Sequence, residues 1–381
     1  MAYPRIYLAV DNCFATKRWP HPLEWATLLQ ELEIGFAEAN ADNDLDPFTT
    51  TPEYRQAWIR SVEAAQQETG VSVANLFSGI GTYTTLGLGH TDRRIRDRML
   101  SCWLKPMTQI AASLQAGIGF FCHAFDDATM QSPEAYARAE ENLCAALADV
   151  AQSAADCGTR AISVEQFGVP HQIPWTLQGT QRLLREVWSR SKQPFYITID
   201  IEHQSSQHKF LRPSHAQLRE ALDTCRAGGQ VTGLWLGPRS ALGIFRRALA
   251  LPVREQAAQI RRLQEEMDRH LHLFASSEDG DTRAWLEQFA CHSPIIHLKA
   301  IDAGYIAPPE LLRAVAVCYE READADLPPR CTSIYLTFEL FSETVHTRDE
   351  IMNRLAACVT CWRQYVPRDG MRLDELIGTL A

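Results

Sequence analysis

The sequence predicts an α/β chain in which eight parallel strands close into one barrel, with a helix after each strand. Three observations carry this. Eight short runs rich in β-branched and aromatic residues recur along the chain: IYLAV from Ile6, IGFAEA from Ile34, VSVANLF from Val71, GIGFFCHAF from Gly117, AISVEQF from Ala161, FYITIDI from Phe195, IIHLKAI from Ile295 and IYLTFELF from Ile334. Their starts lie 28, 37, 46, 44, 34, 100 and 39 residues apart, and all but one of these intervals suit the roughly 30 residues per unit that about 250 residues divided among eight units require. The stretches between the runs read as amphipathic helices.

The elements follow in order. The runs are short and β-branched or aromatic, and they alternate with long amphipathic stretches. Between the fourth and fifth runs, Ser132 can cap, Pro133 suits a first turn, Tyr136, Leu143, Leu147, Val150 and Ala154 share a face, and Gly158 ends the pattern. Thr91 to Gln115 reads as a longer helix with a break expected near Lys105, because Pro106 lacks the N–H an unbroken helix needs. The interval of 100 residues holds an insertion over 204–293, including REQAAQIRRLQEEMDRHLHLF and a strand-like VTGLWLG from Val231. That last run ends in Gly237 and Pro238 without a polar residue of the kind that closes strands 5 to 8, so it is not counted as a barrel strand. The expected architecture is a single (β/α)8 TIM-barrel domain over 1–381, with a large insertion between strands 6 and 7 that serves as a lid or dimer contact.

Composition bounds the partners. The chain has 381 residues, 46% hydrophobic and 22% charged, with 47 acidic against 37 basic side chains and a net charge of −10. It is an ordinary globular composition, and its acidity argues against nucleic acid or an anionic membrane as a whole-surface partner. No apolar run approaches the roughly 20 residues of a membrane span, and the start MAYPRIYLAVDN lacks a secretory pattern, so a cytoplasmic protein is expected. Eleven scattered cysteines read as free thiols, including Cys358 and Cys361, a lone CxxC within a helical pattern. Gly79-Ile-Gly81 follows a strand, but a dinucleotide fingerprint would need its third glycine where Thr84 stands, and Gly117-Ile-Gly119 fails likewise. His270 and His272 lie two apart on a helical segment and read as surface or lid packing, and READAD from Arg321 as a solvated loop.

In such a barrel, residues at the carboxyl ends of strands share one mouth. Strand 5 ends at Glu165, strand 6 at Asp200 followed by His203, strand 7 at His297 and strand 8 at Glu339. Taken singly, each reads as a loop anchor or cap. Together, four successive hydrophobic strands ending in metal-competent residues point to Glu165, Asp200, His297 and Glu339 as ligands of one divalent cation. Asp11 and Asn12 at the end of strand 1, and Glu38 in strand 2, are placed to bind hydroxyls or orient the ligands. Lys17, Arg18, Lys299 and His123 make a basic rim suited to an anionic substrate, although solvated surface charge is the competing reading for Lys17 and Arg18. Phe167 and Trp175 are candidate pocket walls, or plain packing.

The order Glu, Asp-x-x-His, His, Glu, carried by ISVEQF, TIDIEH, IIHLKAID and LTFELF, resembles the sugar isomerases and epimerases with a xylose-isomerase-like barrel, especially the ketose 3-epimerases. The resemblance runs from Ile6 to Glu339 outside the insertion. It implies that Glu165, Asp200, His297 and Glu339 bind a metal, Mn2+ first, with Co2+, Mg2+ or Zn2+ as alternatives, and that His203 contacts substrate. Many ketose 3-epimerases carry an arginine after the strand-7 histidine. Here the stretch reads His297-Leu-Lys299-Ala-Ile-Asp302, which gives Lys299 and Asp302 a different substrate role. LAVDNCFATKRW and VEQFGVPHQIPWT are similar to the tetrulose-phosphate epimerases, which suggests a phosphorylated short ketose.

The chemistry expected of this set is proton abstraction beside a ketose carbonyl through a metal-stabilised enediolate, with Glu165 and Glu339 as the acid/base pair. Epimerisation and aldose–ketose isomerisation use the same groups, so the spacing does not separate them. A metal-dependent endonuclease would want more ligands and a basic groove, and a non-catalytic sugar-binding regulator would keep the site without turnover. A small sugar or sugar phosphate is the expected partner, and the insertion offers helical surface for a homodimer.

Overall fold

The computed structural model describes residues 2–15, 18–78, 87–122, 124–342 and 345–380. Each of the eight expected runs forms a strand: β1 (Arg5–Asp11), β2 (Phe36–Asn40), β3 (Ser72–Ser78), β4 (Gly117–Phe120), β5 (Ile162–Glu165), β6 (Tyr196–Asp200), β7 (Ile295–Leu298) and β8 (Ser333–Phe338). Neighbours pair in parallel in chain order, and β8 pairs with β1 to close the ring. A two-residue β9 (Met371–Arg372) pairs antiparallel with the start of β1. Residues 231–237 form no strand, so the barrel count stays at eight.

The helix after β4 spans Pro133–Cys157, with Ser132 Oγ accepting from Ala135 N–H and Gly158 ending it at φ +77°. The 91–115 stretch is interrupted near Lys105 as expected, by a π-helical turn. It runs as helix Arg93–Met99, a π-helical turn Leu100–Leu104, and helix Lys105–Ser113. Lys105 N–H reaches back to Leu100 O, so the widened turn stands immediately before Pro106, which lacks a donor.

Between β6 and β7 lie a 3-10 helix His203–Phe210 and helices His215–Arg226, Arg239–Ala250, Gln256–Arg269 and Thr282–Phe289. Thr282–Phe289 buries Trp285, Leu286 and Phe289 and packs beside the next barrel helix, Pro308–Glu320. It lies inside the 204–293 stretch read as an insertion. His270 and His272 dock this segment on the barrel: their Nε2 atoms lie 3.3 Å from Gln131 O and 3.0 Å from Met130 O, and the His272 ring packs on Tyr136.

Apolar side chains form two zones. The larger fills the shell between sheet and helices, including Trp25, Trp103, Phe195, Trp285 and Phe289. The smaller, Ala9, Ala74, Ile295 and Tyr335 with Tyr7 and Phe36 against them, plugs the amino-terminal end of the barrel interior. Among the described residues no helix is long and apolar enough to cross a membrane.

Candidate metal centre

Side chains of a strand alternate between its faces, so Ser163 and Glu165 share the barrel interior, as do Thr198 and Asp200, His297 and Lys299, and Thr337 and Glu339. Asp200 pairs with His297 in the β6–β7 register, and Glu339 N–H donates to Leu298 O (2.9 Å), carrying the β7–β8 pairing one residue beyond the strand. Glu165, Asp200, His297 and Glu339 each offer a ligand atom within 4.8 Å of the others, and all four residues are buried.

Each donor is aimed. Asp200 Oδ1 accepts from Glu202 N–H (2.7 Å), leaving Oδ2 toward the centre. His297 Nε2 lies 2.7 Å from Glu38 Oε1, while its Nδ1, without a hydrogen-bond partner, sits 3.5 Å from Glu165 Oε1 and 3.6 Å from Glu339 Oε2. Glu165 Oε2 is likewise buried and unpaired. His203 Nδ1 lies 2.7 Å from Gln166 O, its Nε2 is 3.5 Å from Asp200 Oδ2, and its ring stacks on Phe167 at 4.5 Å. Lys299 places Nζ 2.7 Å from Asp200 Oδ2 and in contact with Glu339 Oε2.

Burial and charge set the proton affinities. Burial pushes Glu165 up to about 7, against the pull of His297 and His203. Burial would raise Asp200 too, but His203, Lys299 and His297 overcome it and hold that carboxyl well below its usual range. Burial works against a charged Lys299, yet Asp200 and Glu339 raise its pKa well above the ordinary value. Burial, reinforced by Glu38 and Glu339, raises Asp11 far above an ordinary aspartate.

The remaining expected residues fall in several places. Asp11 lies beside Glu38 in the β1–β2 register, with Oδ1 accepting from Cys13 N–H and Oδ2 buried and unpaired. Asn12 is committed on both sides, donating to Asp44 Oδ2 and accepting from Asn40 N–H (2.7 Å each), which makes it a tie between β1 and β2. Trp175 packs on Phe210. Arg18 is half-buried in the turn after β1, its N–H donating to Ala15 O. Lys17, His123 and the Gly79-Ile-Gly81 run lie outside the described residues; Asp302 falls in the turn Ile301–Ala303, with its side chain outside the description. Sequence reasoning passed over Asn75, whose Nδ2 donates to Glu38 Oε2 (2.6 Å). Its signal was available: a lone amide inside VSVANLF, where an apolar strand has no reason to carry one.

The donor set fits a divalent ion: three carboxylates and an imidazole nitrogen converge, and the buried Nδ1 and Oε2 lack any other partner.

No protein-family profile matches the chain, and no curated protein matches it. Solved structures share its fold. A provisionally named xylose isomerase of Rhodospirillum rubrum superposes with a TM-score of 0.65 at 14% identity, over 94% of this chain and 99% of that one. An L-ribulose 3-epimerase superposes at 0.53 with 11% identity, over 98% and 95%. A D-allulose 3-epimerase from Methylomonas sp. does so at 0.50 with 15% identity, over 100% and 96%. At such identities the likeness establishes the (β/α)8 barrel as this chain's fold.

Proposed function

We propose that the protein is a metal-dependent isomerase that epimerises a short ketose or ketose phosphate. One observation carries the reading: four consecutive strands deliver Glu165, Asp200, His297 and Glu339 to one buried point, with His297 Nδ1 and Glu165 Oε2 otherwise unpartnered. The solved sugar isomerase and epimerase structures of the same fold support it. A divalent ion held by these four residues, Mn2+ in our reading, supplies when bound the polarisation that acidifies the carbon beside a ketose carbonyl.

The chain's own residues do the rest. Glu165, buried at the end of β5 with Oε2 free of any other partner, is the carrier that takes and returns the carbon-bound proton. Glu339 enters from β8, three strands round the ring, and serves the other face of that carbon, as inversion requires. His203, its Nδ1 held at Gln166 O, turns Nε2 toward a substrate oxygen. Lys299 supplies a fixed positive charge at the mouth, and Glu202 Oε2, 3.8 Å away, is a third carboxylate beside it after Asp200 and Glu339. Phe77, Phe121 and Phe167 pack edge to face and exclude water from one side. For a phosphorylated substrate, Arg18, Lys17 and His123 are the proposed anion donors.

Proton exchange tests the reading. The manganese-loaded protein, offered tetruloses and pentuloses with and without phosphate in D2O, is expected to place deuterium beside the carbonyl of one of them. Glu165→Gln and Glu339→Gln are each expected to slow this roughly 10²–10⁴-fold while melting as the parent does. Exchange at parental rates in both variants rejects the assignment, a product with a moved carbonyl makes the enzyme an aldose–ketose isomerase, and bound manganese without exchange makes it a sugar-binding regulator.

A further inference from the structure

We infer that Gly117-Ile-Gly119 of β4, together with Asn75, Phe77 and Glu38, is a positioning device for His297. It holds the ring so that Nδ1 alone faces the ion; the inference rests on the metal reading above. The device begins with a register shift. In the β2–β3 pairing Ala37 lies opposite Val73, but Glu38 lies opposite Asn75, so Ala74 is skipped. A bulge of this kind re-aims side chains, and here it sets two buried polar residues side by side. Asn75 Nδ2 donates to Glu38 Oε2 (2.6 Å), and Glu38 Oε1 meets His297 Nε2 (2.7 Å). β2 and β7 are not neighbours in the ring, so this relay crosses the barrel interior.

The glycines make the room. A Cβ at Gly117 would stand 2.7 Å from Asn75 Oδ1, and one at Gly119 would stand 2.6 Å from Phe77 Cδ2 and 3.1 Å from Asn75 Nδ2. Neither glycine has a positive φ, so space rather than backbone conformation accounts for both. Phe77, seated over Gly119, meets the His297 ring edge-on at 5.1 Å and 66°. His297 is thus clamped by an aromatic contact on one side and a hydrogen bond on another, and a flip would leave Glu38 Oε1 facing a carbon in place of its hydrogen-bond partner.

Asp11, Glu38 and His297 also converge within 4.8 Å. The 2.7 Å between Glu38 Oε1 and His297 Nε2 is hydrogen-bond spacing, and in this inference the group acts as a relay to the four donors.

Manganese titration by calorimetry tests the device on the full chain, with no activity required. Glu38→Ala is expected to weaken binding roughly 10–100-fold, the range for loss of a ligand's outer hydrogen-bond partner. Glu38→Gln, which keeps an acceptor oxygen, is expected to recover most of that loss. Gly119→Ala, whose added carbon would crowd Phe77 and Asn75, is expected to weaken binding as well. Folded Glu38 variants that bind manganese as tightly as the parent overturn the inference, as does a manganese-soaked crystal with the ion on Nε2; both leave the proposed function standing. A parent protein that takes up no ion at the four donors overturns that function and this inference with it.

Discussion

The two ends of the barrel interior are built from opposite materials. At the amino-terminal end, Tyr7 and Tyr335 stack at 4.9 Å, Phe36 meets both edge-on, and the Arg160 guanidinium lies 5.3 Å over the Tyr335 ring. At the carboxyl end, Asp11, Glu38, Glu165, Asp200 and Glu339 are all buried around Lys299, His203 and His297. The first arrangement is stable as it stands, since aromatic burial and offset rings favour folding. In the second, crowded carboxylates out of water work against folding unless a cation or ligand compensates them. One end holds the ring of strands shut, and the other carries strain that only function explains.

That contrast can be broken from the stable end. Tyr335→Ala is expected to cost about 3–5 kcal/mol, as large aromatic truncations in cores do, read as a lowered urea midpoint, while the folded fraction still binds manganese. A loss of manganese affinity matching the loss of stability would show that the two ends are not separable.

His292, in the turn before β7, sharpens it. Burial, with Arg330 adding to it, brings this imidazole down to about 4 from 6.5. The unfolded chain therefore binds a proton that the folded one refuses between those values. Stability from this group is complete above pH 6.5 and falls as pH drops toward 4, by roughly 3 kcal/mol. His292→Gln is expected to flatten that part of the stability profile, and an unchanged slope would remove His292 from the account.

The carboxyl end gives the smallest of these stability effects and the most diagnostic one. Manganese at about 100 times its dissociation constant is expected to stabilise the fold by roughly 2.7 kcal/mol, read as a melting shift that chelator reverses. The shift should vanish in Asp200→Asn and persist in Tyr335→Ala.

Legibility in the sequence followed the range of the signal. The helix Pro133–Cys157 was readable to the residue because its cap, first-turn proline, apolar face and terminal glycine are all local. The metal-competent residues at strand ends were readable because alternation and strand termination are local as well. The break near Lys105 was readable from Pro106, but its π-helical form was not: that turn carries Trp103, buried and donating to Ser78 Oγ of β3, a contact distant in sequence. Gly117-Ile-Gly119 was set aside correctly as a nucleotide motif, but its use as space for Asn75 and Phe77 could not be read from β4 alone.

By itself the sequence determined the eight strands, their order, and which residue types stand at each end, since these rest on periodicity and on the cost of burying polar groups. Tertiary structure alone decided that Glu38 meets His297 across 259 residues of chain, that Lys299 turns inward between Asp200 and Glu339, and that Asn12 ties strands together. Those contacts depend on ring closure and on a single skipped residue in one pairing, and neither leaves a mark on the residues nearby in the chain.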